Sequence, residues 1–83
     1  MIHTTGEFSV VQFFNNGEYE YVRRYVSAEA AMEAVKHYTN NVATRMGIVE
    51  KVIITDGGDL TCFEWINGKG VTFPPVEEKK DNG

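Results

Sequence analysis

The chain has 83 residues, 42% of them hydrophobic, and a formal net charge of −4. This length indicates one domain, residues 1–83, and the apolar content excludes a disordered chain. The scattered basic residues of an acidic chain argue against binding to phosphate backbones, and the single cysteine, Cys62, excludes an internal disulfide. No apolar stretch approaches the ~18 residues of a membrane span, so we expect no membrane partner and a location in the cytoplasm.

The first predicted unit is a β-hairpin that follows a flexible lead-in at residues 1–6. Strands are predicted over residues 7–15 and 18–26, which are rich in β-forming side chains. Between them, Asn16-Gly17 predicts a two-residue loop, because both residue types tolerate a positive φ. The register that follows from this loop places five aromatic residues on one face: Phe8, Phe14, Tyr19, Tyr21 and Tyr25.

A single long helix is predicted next, over residues 28–46. Ser27 suits the N-cap, Gly47 suits the left-handed residue that ends a helix, and neither glycine nor proline lies between them. Apolar residues recur at helical spacing and predict a buried stripe: Ala28, Ala31, Val35, Tyr38, Val42 and Met46.

Three short strands are predicted in the second half of the chain: residues 49–55, 60–66 and 70–73. The first of them is apolar on both faces, which is typical of a central strand. Gly57-Gly58 predicts a hairpin turn with glycine at positive φ, and Asn67-Gly68 predicts the turn after it. A flexible charged tail is predicted at residues 77–83.

These elements predict an α+β fold of order ββαββ(β), with an antiparallel sheet of 4–5 strands and one helix packed across one face. Lys51 is predicted to face Glu64 across the second hairpin and to form an ion pair with it. Four residues of that hairpin are predicted to share a face: Val52, Ile54, Phe63 and Trp65.

One helix leaves the second face of the sheet uncovered, and aromatic side chains suit a face that is buried against another molecule. If the helix instead covers the aromatic face, these rings belong to the core. The candidate interface comprises Phe8, Phe14, Tyr19, Tyr21, Tyr25, Phe63 and Trp65.

Catalytic and metal sites find little support in the sequence. Asp56 and Asp59 beside two glycines could bind a hard cation, but such sites need more oxygen ligands, and we interpret the segment as a turn. Cys62 has no histidine near it in the predicted register and is expected to be a buried, inert thiol. Neither His3 nor His37 has a second histidine or a cysteine at metal-binding spacing. We therefore predict a non-enzymatic protein with no metal and no cofactor.

Five segments carry a resemblance to a known group of proteins. They are FSVVQFF at 8–14, YEYVRR at 19–24, VIITDGGD at 52–59, FEW at 63–65 and GVTFP at 70–74. In these segments the chain resembles small uncharacterised proteins of marine cyanophages and ocean metagenomes. The resemblance implies a phage-derived protein that acts in the cytoplasm of an infected host, and it implies no activity and no site residues.

Three functions follow as hypotheses. The first is a homodimer, or a higher symmetric oligomer, that acts through contacts with itself or with an unknown protein partner, as a phage accessory protein would. The second is a nucleic-acid-binding module that stacks bases on an aromatic sheet face, against which the acidic charge argues. The third is a small enzyme or ligand-binding protein whose site lies at a dimer seam.

Overall fold

The computed structural model describes residues 6–58 and 60–73. Their elements are β1 (Phe8–Phe14), β2 (Tyr19–Val26), α1 (Ala28–Tyr38), α2 (Val42–Arg45), β3 (Val49–Thr55), β4 (Thr61–Ile66) and β5 (Gly70–Phe73). The five strands form one antiparallel sheet in the order β2-β1-β3-β4-β5, and α1, the main helix, packs against β1, β2 and β3. The predicted α+β fold is confirmed, with β3 as the central strand. The predicted tail lies outside the described residues, as does all of the predicted lead-in except Gly6.

The first hairpin closes with a three-residue loop, so the predicted two-residue loop is wrong. The Phe14 N–H donates to the Glu18 carbonyl oxygen at 2.8 Å, and the Gly17 N–H donates to the Phe14 carbonyl oxygen at 3.0 Å. Gly17 has a φ of +93°, the left-handed conformation that ends such a loop. The extra loop residue moves the register by one, so that Phe13, and not Phe14, pairs with Tyr19.

Strand β2 follows β1 through two irregularities. The register shifts between the Val11–Tyr21 pair and the Val10–Arg23 pair, as it does where a β-bulge adds one residue to a strand. Tyr25 then adopts a φ of +56°, which is rare for a residue other than glycine. Because of these shifts, the aromatic residues of β2 do not keep the single face that regular alternation predicts.

The predicted helix of residues 28–46 is broken after Tyr38. Beyond this point, side chains form hydrogen bonds with nearby backbone groups and compete with the helix for them. The Asn40 amide donates to the Lys36 carbonyl oxygen at 2.9 Å, and the Asn41 side-chain oxygen accepts from the Thr44 N–H at 2.9 Å. Asn41 is therefore the N-cap of a separate short helix, α2.

The core lies between the helices and one face of the sheet. Ala31 and Val35 of the predicted stripe are buried, but Val42 and Met46 are largely exposed, because the break turns them away from the sheet. Ala28, at the start of α1, is exposed as well. The buried cluster comprises Val10, Ala31, Ala34, Val35, Val49, Val52 and Ile54.

The turn between β3 and β4 is closed by the side chain of Asp56. Its Oδ1 accepts from the Gly58 N–H at 2.9 Å and from the Leu60 N–H at 3.1 Å. The predicted turn is confirmed, but neither Gly57 nor Gly58 lies in the left-handed region, so the predicted positive φ is wrong. Because the Asp56 side chain accepts hydrogen bonds from these backbone N–H groups, the turn forms without a glycine at positive φ.

The second hairpin differs from the predicted register by two residues. Lys51 lies opposite Ile66, whereas Glu64 was the predicted partner. From Lys51 to Ile54 the shift of two keeps the side chains on their predicted faces, so Lys51 Nζ still reaches Glu64 Oε2 diagonally at 3.6 Å, and the predicted ion pair is confirmed. The predicted common face is confirmed as well, with these residues in or against the core: Val52, Ile54, Phe63 and Trp65.

Candidate functional site

One face of the sheet is not covered by either helix, and we call it the open face. Paired residues of antiparallel strands share a face, so the strand registers define rows of side chains across it. The first row crosses all five strands: Tyr21, Val11, Ile53, Glu64 and Phe73. The second row contains Tyr19, Phe13, Lys51 and Ile66, and it ends at Gly70, which has no side chain. Apart from Lys51 and Glu64, the side chains of these two rows are apolar or aromatic. A further row next to the first is polar and contains Ser9, Thr55 and Thr61.

Three rings form a continuous aromatic cluster on the β2 side of the open face. The ring centroids of Phe13 and Tyr19 lie 5.7 Å apart, and those of Tyr19 and Tyr21 lie 6.3 Å apart. Tyr19 is 61% exposed and Tyr21 is 38% exposed, whereas Val11 is only 3% exposed because it lies between Tyr21 and Ile53 in the first row. Among the apolar members of the two rows, the most exposed side chains are therefore rings rather than aliphatic chains.

Cations flank the aromatic cluster. Arg24 Cζ lies 4.1 Å from the ring centroid of Tyr21, and Lys51 Nζ lies 4.7 Å from that of Phe13. Both distances fall within the range of cation–π attraction. Because Lys51 also pairs with Glu64, the two rows of the open face carry no net formal charge, although the chain is acidic.

The structure divides the seven predicted interface residues between the two faces. Only Tyr19 and Tyr21 lie on the open face. Tyr25 is exposed at the end of β2, where Phe8 pairs with Val26. The prediction of one common aromatic face is wrong, because the longer loop and the bulge change the register. The other four rings lie on the helix side and pack against the core: Phe8, Phe14, Phe63 and Trp65.

The open face also contains Phe13, Ile53 and Ile66, which were not among the predicted interface residues. A signal for this grouping was present, because period-two alternation places Phe13 with Val11 on one face of β1. The same alternation places Ile53 with Lys51 on one face of β3. Alternation does not say which of the two faces a helix will cover, and that choice is what separates the core from the open face.

Cys62 is exposed, so the prediction of a buried thiol is wrong. The main helix packs against β1, β2 and β3 and leaves this part of β4 accessible. Desolvation, together with the negative charges of Asp56 and Glu7, raises the pKa of the Cys62 thiol. A raised pKa lowers the thiolate fraction at neutral pH, which disfavours nucleophilic catalysis.

The remaining candidate ligands do not converge. Asp56 uses Oδ1 to hold its own turn, and His37 is exposed on α1. Asp59 and His3 lie outside the described residues. Within residues 6–58 and 60–73, no group of three or more His, Cys, Asp or Glu side chains could hold a metal ion.

No helix in this described part of the chain has the length and apolar content needed to cross a membrane. Comparison of the chain with protein-family models, curated proteins and solved structures gives no match.

Proposed function

We propose that the protein is a non-enzymatic module that acts through protein–protein contacts, and that its open face packs against the open face of a second copy. The aromatic cluster of Phe13, Tyr19 and Tyr21 is the observation that carries this proposal. Large contiguous apolar patches on proteins usually mark an interaction surface. Tyrosine suits such a surface, because its ring can be buried while its hydroxyl stays hydrated. The proposal includes action in the cytoplasm, that of the host if the chain is phage-encoded.

The charges of the open face fit a second copy. A two-fold axis brings the same surface of both copies together. Lys51 of one copy can then pair with Glu64 of the other, so that each face offers both members of the ion pair. The net charge of −4 opposes contact between arbitrary surfaces of two copies, whereas the open face is not acidic, because Lys51 and Glu64 cancel and Arg24 lies against the ring of Tyr21.

The size of the open face limits the strength of the dimer. Five strands at about 4.8 Å spacing and a strand length of about 20 Å give roughly 500 Å² per copy. Two copies would therefore bury about 1,000 Å², which is near the lower limit for a specific interface. We expect a reversible dimer with a dissociation constant in the micromolar range rather than an obligate dimer.

Charge reversal at the ion pair tests the proposal. In light scattering at ~100 μM, the wild-type protein should be dimeric, whereas Lys51→Glu and Glu64→Lys should each be monomeric, because like charges then meet at the seam. An equimolar mixture of the two variants should recover a heterodimer, which a purely intramolecular ion pair would not produce. A folded wild-type protein that is monomeric at this concentration would overturn the proposal.

Substitutions at two exposed residues, one on the open face and one on α1, provide a test and its matched control. Tyr19→Ser removes an open-face ring and should weaken the dimer, with little effect on monomer stability because this ring is 61% exposed. Met32→Ser removes a side chain that is 41% exposed on α1 and should leave the dimer unchanged. Equal effects of the two substitutions on assembly would place the contact elsewhere. Trp65, which packs against the core, is not a suitable probe of this face.

The second candidate function is binding of single-stranded nucleic acid by the same rings. The positions of Arg24 over Tyr21 and of Lys51 over Phe13 favour it, because stacking platforms combine aromatic rings with flanking cations. This function predicts a monomer that binds a labelled single-stranded oligonucleotide. The binding should become weaker as the salt concentration rises, and it should also become weaker in the Arg24→Gln variant. The acidic net charge of the chain makes the dimer the better supported function.

A further inference from the structure

A cleft lies on the helix side of the sheet, where several segments of the chain meet at one end. It has a volume of about 500 Å³, and five of the residues that line it are Asn15, Arg45, Glu50, Trp65 and Asn67. Two other cavities among the described residues have volumes of about 200 Å³ and 180 Å³. Small-molecule sites usually have roughly 300–1,000 Å³, so the cleft has the size of a ligand site and the other two do not.

Side-chain amides hold the walls of this cleft in place. The Asn67 Nδ2 group donates to the Thr44 carbonyl oxygen at 2.8 Å and to the Val49 carbonyl oxygen at 2.9 Å. The Asn15 Nδ2 group donates to the Gly47 carbonyl oxygen at 3.0 Å. These bonds tie the α2 segment to the ends of three strands, so the cleft is formed before any ligand arrives.

The cleft presents one cation, one anion and one aromatic ring. The Arg45 guanidinium and the Glu50 carboxylate form no ion pair with each other or with any other described residue. Trp65 is half-buried and is the aromatic residue that lines the cleft. A ligand that complements this set carries a negative group, a positive group and an apolar ring.

We propose that the cleft binds a free aromatic α-amino acid. Its carboxylate would pair with Arg45, its ammonium group with Glu50, and its ring would pack against Trp65. A simple anion would be repelled by Glu50 and a simple cation by Arg45, whereas a zwitterion satisfies both. Each end of a peptide lacks one of the two charges, so a single amino acid is the better complement. The cleft lies on the side of the sheet opposite the open face, so this proposal is independent of the proposed dimer.

The only tryptophan of the chain, Trp65, is a built-in reporter for the test. Titration of the wild-type protein with L-phenylalanine should give a saturable change in tryptophan fluorescence. Phenylalaninamide, which lacks the carboxylate, and N-acetylphenylalanine, which lacks the ammonium group, should each bind about tenfold more weakly, because each loses one charge-assisted contact. The first compound mimics the start of a peptide and the second mimics its end.

Variants assign each charge to its partner. Arg45→Gln should weaken the binding of phenylalanine about tenfold but should not weaken that of phenylalaninamide, because the variant loses a cation that repels this ligand. Glu50→Gln should weaken the binding of phenylalanine by a similar factor but should not weaken that of N-acetylphenylalanine, because the variant loses an anion that repels it. Lys69→Gln removes an exposed charge outside the cleft and is the matched control, for which no change is expected. All three positions are exposed, so the variants should fold, which circular dichroism checks.

Three results would overturn the proposal. The first is the absence of a saturable fluorescence change up to ~10 mM phenylalanine, with backbone amide NMR shifts of the cleft residues also unmoved. The second is equal affinity for the three ligands, since the charges would then play no role. The third is a loss of affinity in Arg45→Gln and Glu50→Gln that is no larger than that in Lys69→Gln.

Discussion

Phe13 pairs with Tyr19 across the first hairpin, and the centroids of their rings lie 5.7 Å apart. This pairing exists because the hairpin loop contains three residues. With a two-residue loop, Tyr19 would pair with Phe14 and would face the helices instead of the open face. The length of one loop therefore decides which aromatic rings the protein presents to another molecule.

Gly17→Val should destabilise the protein by about 1–3 kcal/mol, because a β-branched residue is strained at a φ of +93°. Backbone strain alone should account for the loss of stability, since a Cβ at this position would meet no atom within 4 Å. Gly17→Asn should cost less, because asparagine tolerates the left-handed region. Urea unfolding monitored by circular dichroism measures both values. A Gly17→Val protein as stable as the wild type would contradict the left-handed loop.

Asn67→Asp should destabilise the protein by roughly 2–3 kcal/mol, because it replaces the donor to two carbonyl oxygens with a carboxylate. Asn16→Asp is the matched control, since Asn16 acts as an acceptor from the Glu18 N–H and a carboxylate keeps that role. Its effect should stay within about 0.5 kcal/mol. Equal losses in the two variants would show that the donor role of Asn67 does not matter.

The loss of stability caused by Asn67→Asp should depend on pH. The carbonyl oxygens around position 67 disfavour the charged carboxylate, so its pKa in the folded state lies above the unfolded value of about 3.9. The destabilisation caused by the charged carboxylate is thus absent below about pH 4 and grows as the pH rises. It reaches its full value above the pKa of the folded state. Unfolding free energies at several pH values check this sign, and a loss that is constant across them would contradict it.

Gly6→Ala should destabilise the protein by about 1–3 kcal/mol, because the new Cβ would lie too close to the backbone of Val26 and Ser27, which must then move. Gly58→Ala is the control, since its Cβ would make only an ordinary contact, 3.6 Å from Asp56 Oδ1. Thermal unfolding of both variants measures the difference. If Gly6→Ala has the same melting temperature as the wild type, residue 6 does not lie as close to the end of β2 as described.

Calcium or magnesium at ~1 mM should not raise the melting temperature, because Asp56 Oδ1 already accepts two backbone hydrogen bonds in its turn. Asp56→Asn keeps a side-chain oxygen in place and should retain most of the stability of the turn. A reproducible thermal shift with either ion that Asp56→Asn abolishes would establish a metal site at this turn and contradict the prediction.

Much of the fold was predictable because its signals are local. Alternation along β3 and β4 gave the common face of Phe63 and Trp65 and the pairing of Lys51 with Glu64, and both survive a register change of two residues. Gly17 and Gly47 have the predicted left-handed conformation, because few other residues tolerate it.

The open face was not predictable from the same signals. An Asn-Gly pair is compatible with a two-residue loop or with the end of a three-residue loop, and both place Gly17 at positive φ. The bulge that follows in β2 allows Val22 and Val26 to pack against the core, a choice set by tertiary packing rather than by local sequence. The break after Tyr38 did have a local signal in residues 39–41, whose side chains favour hydrogen bonds with nearby backbone groups.

The strand order also has a consequence for folding kinetics. Among the described strands, β1 and β3 form the ladder that joins distant parts of the chain, and it places Phe13 opposite Lys51. The other three ladders join strands that are neighbours in the chain and can form as hairpins in roughly 1–10 μs. Pairing of β1 with β3 must first close the long connection through both helices, so it should limit the folding rate. Substitutions along this ladder should therefore slow folding, whereas those in the β4–β5 hairpin should mainly speed unfolding.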